Sequence, residues 1–182
     1  AFIKSSLQNK DAILIGPNAL GVFTPGKALA GVFPVDFAIE GNLGVISRAG
    51  SLCYDVLMEL YKNDIGISSV IGLGEDCLSG TSFVDCLDLF EMDAHTDSIL
   101  IIGQPGYIQE SLAATHILES ITKPVYAYVA GVGINTNKII GHTEICMFDS
   151  QHNAQRKIED LSNAGVRIAR NLKEISQLIK GR

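Results

Sequence analysis

The chain has 182 residues, of which 47% are hydrophobic and 19% charged, so it has the length and composition of one folded domain and not of a disordered segment. The formal net charge is −6 and the basic residues are scattered, which excludes the basic stripe that a nucleic-acid partner requires. The longest nearly pure apolar run, SILIIG, is far too short to cross a bilayer, so no membrane partner is expected either.

The N-terminal AFIKSSLQNK has only a brief apolar start and no signal-peptide pattern. It reads as the tail of a helix belonging to something upstream. Residues 12 to 16, AILIG, read as a strand. A long loop follows, PNALGVFTPGKALAGVFPVDFAIEGN, punctuated by Gly and Pro and able to hold short extended pieces. LGVIS is a strand, and SLCYDVLMELYK a helix with Leu52, Val56 and Leu60 on one face. ISSVIGLG is the next strand. SFVDCLDLFEMD is a helix with Phe83, Leu87 and Phe90 inward and Ser82 at its N-cap. SILIIG is continuous and apolar, as a strand covered on both faces must be. YIQESLAATHILES is a helix, PVYAYVAG a strand opened by Pro124. A loop, IIGHTEICMFDSQH, separates it from the helix NAQRKIEDLSNAG, which Gly165 closes. VRIA and NLKEISQLI supply the last strand and helix. Strands alternating with helices of this length predict a single three-layer α/β domain: a flavodoxin-like, doubly wound, mainly parallel sheet.

Ligands of such sheets bind at the carboxyl ends of the strands. Three glycine-bearing turns fall there. SRAGS, residues 47 to 51, runs from a strand straight into a helix, where outward-pointing amides bind anions. GLGEDCLSGTS and GQPGY are the other two. Glycines at strand ends are routine in α/β folds, so each turn alone is a weak signal. GVGINT imitates only half of GxGxxG, and GxxxxGK[ST] and GxSxG are absent, which argues against standard NAD, ATP or serine-hydrolase sites. The cysteines Cys53, Cys77, Cys86 and Cys146 form no CxxC pair and read as reduced thiols. His142 with Cys146 or His152 lacks a third ligand, so no metal site is expected. His95 and His116 read as surface or packed residues. His142 stands apart, behind a glycine and a strand, at the carboxyl edge of the sheet.

GPNALGVFTPGK, GNLGVISRAGSLCYDVL, GLGEDCLSGTSFVDCLDLFEMDAHTDSILIIG, TKPVYAYVAG and IIGHTEI occur in an order that resembles the α subunit of succinate–CoA ligase (succinyl-CoA synthetase), over essentially the whole chain. ATP-citrate lyase and the ADP-forming acyl-CoA synthetases are similar over this module. The resemblance implies that residues 1–182 are the second, ligase-CoA domain, and that the family's upstream CoA-binding Rossmann domain is absent from them; a piece of a longer α subunit or a lone domain is expected. It implies a reaction that joins succinate, or a similar small acid, to coenzyme A at the expense of ATP or GTP with Mg2+, through a phosphohistidine. It implies a β-subunit partner in a heterodimer or heterotetramer, with CoA and nucleotide bound mainly outside this chain as substrates and no tightly bound cofactor. The location implied is the cytoplasm, or the mitochondrial matrix in a eukaryote. His142, behind Gly141 of the phosphate loop, matches the phosphorylated histidine. Ser47, Gly50 and Ser51 match the loop entering the helix aimed at it. Tyr54 matches a tyrosine of the acid pocket, and Gly16, Pro17 and Asn18 a turn near that pocket.

The sequence departs from the family at the same site. Gln104 stands where the family has a glutamate that accepts a hydrogen bond from the active histidine; an amide accepts but cannot stabilise an imidazolium. Thr143 and Glu144 replace small residues, Asp149 and Ser150 a glycine pair, and Gln151 and His152 a Lys-Gly. A carboxylate about 6 Å from one negative charge costs on the order of 3 kcal/mol at an effective dielectric of about 20, against about 0.3–2 kcal/mol returned by a helix N-terminus. Two other readings therefore stand beside the ligase: a non-catalytic paralogue kept for subunit assembly or regulation, and a stand-alone flavodoxin-like ligand-binding module.

Overall fold

The computed structural model describes residues 2–7, 10, 12–76, 79–133, 139–140, 145–146 and 153–181. A short helix, α1 (Phe2–Ser6), precedes the sheet. Five strands form its parallel body: β3 (Glu40–Ser47), β4 (Ile67–Gly72), β5 (Ser98–Gly103), β6 (Val125–Val129) and β9 (Arg167–Ala169). They lie in the order β4-β3-β5-β6-β9. This is the flavodoxin order, in which the chain winds one way from β3 to β4 and the other way from β5 on. The switch point therefore lies between β3 and β5. In that pair Ser47 is opposite Ile102.

The Gly/Pro-rich loop folds as a hairpin of β1 (Gly21–Thr24) and β2 (Ala28–Gly31), joined antiparallel to β4. A 3-10 turn at Val35–Phe37 follows. The expected strand over residues 12 to 16 is not formed. Its backbone serves loop 79–81 instead: the Leu14 carbonyl accepts from Thr81 Oγ1 at 2.7 Å and the Gly16 carbonyl from Gly80 N–H at 2.9 Å. Gly80 is required there, since a Cβ would lie 2.3 Å from the Leu14 oxygen.

The other expected helices are present as α2 (Ser51–Lys62), α3 (Phe83–Met92), α4 (Gln109–Ser120), α5 (Ala154–Asn163) and α6 (Leu172–Ile179). Two cores flank the sheet. Phe83, Leu87 and Phe90 of α3, Ala113 and Ile117 of α4 and Leu161 of α5 pack on one face with Ile46, Ile99 and Ile101. Cys53, Val56 and Leu57 of α2 and Ile175 of α6 pack on the other with Val45, Val70 and Leu100. Strand residues alternate between the two cores, as a period of two demands. Ser82 caps α3 in a reciprocal capping box with Asp85. Gly165 follows α5 at φ +83°, the left-handed position that favours glycine. β7 (Ile139–Ile140) and β8 (Ile145–Cys146) pair antiparallel. Among the described residues no helix is long and apolar enough to cross a membrane.

Candidate functional site

The turns leaving β3 and β5 stand side by side at the switch point, joined by the Arg48 N–H, which donates to the Ile102 carbonyl at 3.3 Å. The first turn is built from inside. Ser47 is buried and its hydroxyl donates to the Ala49 carbonyl at 2.8 Å. Gly50 is the N-cap of α2 and offers no side chain to it. The free amide of that terminus is met by an acid of the next turn: Gly50 N–H donates to Glu75 Oε1 at 3.0 Å. Ser51 begins the helix and is exposed. An anion arriving at the α2 N-terminus thus meets a partial positive charge that a carboxylate already shares.

Arg48 is only 3% exposed. Its guanidinium donates to the carbonyls of Gly74, Glu75 and Asp76, at 3.3, 3.0 and 3.3 Å. Its Cζ lies 5.1 Å from the centre of the Tyr107 ring. One buried cation thereby ties the turns after β3, β4 and β5 together, its charge shared by carbonyl dipoles and an aromatic face.

The turn after β5 carries Gln104, 7% exposed. Its backbone is held on both sides. The Gln104 N–H donates to Glu110 Oε1 at 3.1 Å, and its carbonyl accepts from Lys157 Nζ at 2.7 Å. Lys157 also donates to the Gly106 carbonyl and to Glu110 Oε2, so all three ammonium hydrogens are used. Both side chains of this ion pair are fully buried. Burial pushes the Lys157 ammonium below the usual lysine range, and the Glu110 carboxylate pulls it back.

The turn of Gly16, Pro17 and Asn18 lies against the one after β4: a Cβ on Gly74 would sit 2.2 Å from the Pro17 carbonyl oxygen. The Gly16–Pro17 bond is cis, and Asn18 has φ +52°. Ser47, Gly50, Gly16, Pro17, Asn18 and Gln104 thus belong to turns linked at one edge of the sheet. Tyr54, one turn into α2, donates its hydroxyl to the Val32 carbonyl at 2.5 Å, and Val32 follows Gly31, whose partner Gly21 pairs with Gly72 at the carboxyl end of β4. His142 and Gly141 lie outside the described residues, as do Thr143, Glu144, Asp149, Ser150, Gln151 and His152. His95 is exposed, and His116 of α4 pairs with Asp88 of α3 at 2.6 Å. Cys53 and Cys86 are free thiols that burial pushes up to about 12, which disqualifies them as nucleophiles. Among the described residues no group of three or more His, Cys, Asp or Glu is placed to hold a metal ion.

Lys157, Glu110 and Glu75 escape a reading of the sequence alone. The signal for the first two is nevertheless written in it. Glu110, Ala113, Ala114 and Ile117 occupy the inward stripe of α4, and Ala154, Lys157 and Leu161 that of α5. Opposite charges on the buried faces of adjacent helices announce each other.

A family model described as CoA-ligase matches residues 46–178. The chain is 39% identical over 168 residues to the succinate–CoA ligase [ADP-forming] subunit alpha 2 of Archaeoglobus fulgidus, covering 92% of this chain and 58% of that one. It is 34% identical to the malate–CoA ligase subunit alpha of Methylorubrum extorquens, over 92% of this chain and 57% of the relative. The chain thus spans a little over half the length of these curated relatives. Among solved structures, an ATP citrate lyase from Methanothrix soehngenii superposes with a TM-score of 0.85 at 22% identity, over 99% of this chain and 33% of that one. A dinucleotide-forming acetyl-coenzyme A synthetase 1 from Ca. Korarchaeum cryptofilum superposes with a TM-score of 0.74 at 21% identity, over 97% of this chain and 37% of its own. At those identities the superpositions establish the fold.

Proposed function

The chain belongs to the CoA-ligase family, and from that premise we propose that residues 1–182 form the phosphoryl-relay part of an acid–CoA ligase α subunit. The substrate class is a small dicarboxylic acid, succinate first, the acid named for the relative at 39% identity. The neutral imidazole of His142 attacks the γ-phosphorus of ATP or GTP and expels the nucleoside diphosphate. A substrate carboxylate then takes the phosphoryl group and frees the histidine. The CoA thiol attacks the acyl phosphate, inorganic phosphate leaves, and the thioester remains. Nucleotide, Mg2+ and CoA are substrates of the assembled enzyme held mainly by the β subunit and by an upstream Rossmann domain. An activated intermediate is needed because acid and thiol do not condense in water unaided.

The observation that carries this reading is the pairing of the SRAGS and Gln104 turns across the switch point. A phosphoryl group with close to two negative charges requires fixed positive ends. The α2 N-terminus supplies one such end, shared with the Glu75 carboxylate, and the Gln104 turn stands beside it on the adjacent strand. Gly16 to Asn18 close the same edge, beside the turn after β4. Tyr54, on α2 with its hydroxyl bonded to the Val32 carbonyl, lines the acid pocket in this reading.

The test is formation of phosphohistidine. The full-length α subunit is assembled with its β partner and given γ-labelled ATP or GTP, and acid-labile, alkali-stable label is measured. His142→Asn is expected to abolish the label while leaving the assembly intact. Unchanged labelling in that variant would remove the histidine from the mechanism. Gln104→Glu is expected to increase the labelled fraction, because a carboxylate stabilises the imidazolium that an amide only accepts from. Glu75, on the α2 N-terminus, favours the non-catalytic reading; that reading is upheld if a folded, assembled complex takes no label under any of these conditions.

A further inference from the structure

We infer that Lys157 and Glu110 are a positioning pair, which acts on the relay through the backbone of Gln104; the inference rests on the reading that Gln104 belongs to the phosphoryl-transfer site. The two side chains come from different helices, α5 and α4, and meet under the turn that leaves β5. Between them they grip one peptide unit on each side of the Gln104 Cα. Glu110 takes the N–H and Lys157 gives to the carbonyl. With the backbone on both sides of Cα anchored, the direction of the Gln104 Cα–Cβ bond is set, and with it the reach of the amide.

The neighbouring residues show what the pair holds in place. Gly106 has φ +85° and Tyr107 φ +53°, two consecutive residues in the left-handed region, the second with a full side chain. A sequence of that kind does not keep such a turn unaided. Lys157 binds the Gly106 carbonyl as well, and Arg48 lies over the Tyr107 ring. Gly103 completes the fit: a Cβ there would stand 3.0 Å from Glu110 Cγ, so the absence of a side chain lets the carboxylate tuck beneath the turn. A purely stabilising ion pair needs only its two charges. This one spends two of the three Lys157 hydrogens and one Glu110 oxygen on the backbone of a single turn. α5 is also the helix that follows the segment bearing His142 in the sequence, so one residue at its start links the Gln104 turn to the helix that leads away from the relay loop.

The experiment is a double-mutant cycle in the full-length α subunit assembled with its β partner. The rate of His142 labelling by γ-labelled nucleotide, and its dependence on nucleotide concentration, are measured for wild type, Lys157→Met, Gln104→Ala and the double variant. Lys157→Met is expected to slow labelling at least tenfold with the nucleotide KM changed less than twofold. In the Gln104→Ala background the same change is expected to cost less than twofold more, because the group it positions is already gone. Additive losses would overturn the inference and leave Lys157 a structural residue. If Lys157→Met does not fold, Glu110→Gln runs the same cycle, since it keeps the volume and an acceptor for the Gln104 N–H. Amide exchange is read in parallel on the segment 104–108. Its exchange is expected to accelerate at least tenfold in Lys157→Met or Glu110→Gln while β5 stays protected; unchanged exchange would overturn the anchoring itself. A wild-type complex without label defeats the relay reading, and the exchange result then decides the anchoring on its own.

Discussion

Glu75 is the residue on which the chemistry of the edge turns. Its carboxylate accepts from Gly50 N–H at the head of α2, where a phosphoryl oxygen would seek the same donor. Negative charge at a helix N-terminus contributes about 0.3–1 kcal/mol. Glu75→Gln is therefore expected to lower stability by about that amount in a urea titration, and to raise the fraction of His142 phosphorylated at fixed nucleotide, since one competing charge is gone. A loss of stability with no gain in labelling would place Glu75 as a cap and nothing more. The sequence placed Ser47, Gly50 and Gln104 in turns at strand ends, where the structure has them, but the roles expected of them came from the family resemblance, since such turns are routine in α/β folds. It left Glu75 unread, because a lone turn carboxylate reads as solvated, and it showed Glu110 and Lys157 only as charges on inward stripes, which become a pair once α4 and α5 are known to be neighbours. The cost of the buried pair explains why both charges must be present together: removing one partner of such a pair costs about 3–5 kcal/mol. Lys157→Met is accordingly expected to lower the unfolding free energy by about that much, and Glu110→Leu with Lys157→Met to recover part of it.

At the scale of elements, local signals and periodicity sufficed where burial was one-sided or complete. α2 to α6 and β3 to β6 followed from stripes and apolar runs, and Ser82 from its place before one. The capping box of α3 is worth about 1 kcal/mol, so Ser82→Ala is expected to cost that in equilibrium unfolding. Residues 12 to 16 misled because AILIG has the composition of a buried strand. Composition does not record that Leu14 and Gly16 spend their carbonyls on Thr81 and Gly80, or that Ile13 is left 65% exposed. The far end of α3 carries a pH signature. The Thr96 hydroxyl, and then the His95 N–H, hold the Asp93 carboxyl below the usual aspartate range. A carboxyl whose folded value is depressed contributes stability above its unfolded value, about 3.9, and loses it as pH falls through the folded value. The melting temperature is expected to drop below about pH 4, and Asp93→Asn to flatten that drop. The effect is small, since the side chain is 35% exposed and screened by solvent. A wild-type slope retained in the variant would assign the acid sensitivity to other carboxylates.

For the whole molecule, the doubly wound sheet was readable from alternation, but the antiparallel hairpin beside β4 was not. A βαβ pattern constrains only strands joined by crossovers, whereas β1 and β2 sit in a Gly/Pro-rich stretch whose pairing is non-local. The architecture separates stability from activity in a way that can be measured. Two cores, one on each face, close over the sheet using residues of this chain alone, among them Phe83, Leu87 and Leu161 on one side and Val56, Leu57 and Ile175 on the other. The proposed relay, by contrast, takes its phosphoryl donor and its thiol from sites proposed to lie outside these residues. Residues 1–182 expressed alone are therefore expected to melt in one cooperative transition. They are also expected to form no acyl-CoA from succinate or malate, CoA and ATP or GTP, as followed by thioester absorbance. Adding the β subunit and the upstream CoA-binding domain should restore turnover. If the isolated chain made thioester, CoA and nucleotide would have to bind within these 182 residues, and the division of labour between subunits proposed for this family member would fall. If it failed to melt cooperatively, the two cores would be incomplete without a partner, and the positions exposed on the hairpin and the 3-10 turn, Leu29, Val32, Val35 and Phe37, would be the first place to look for it.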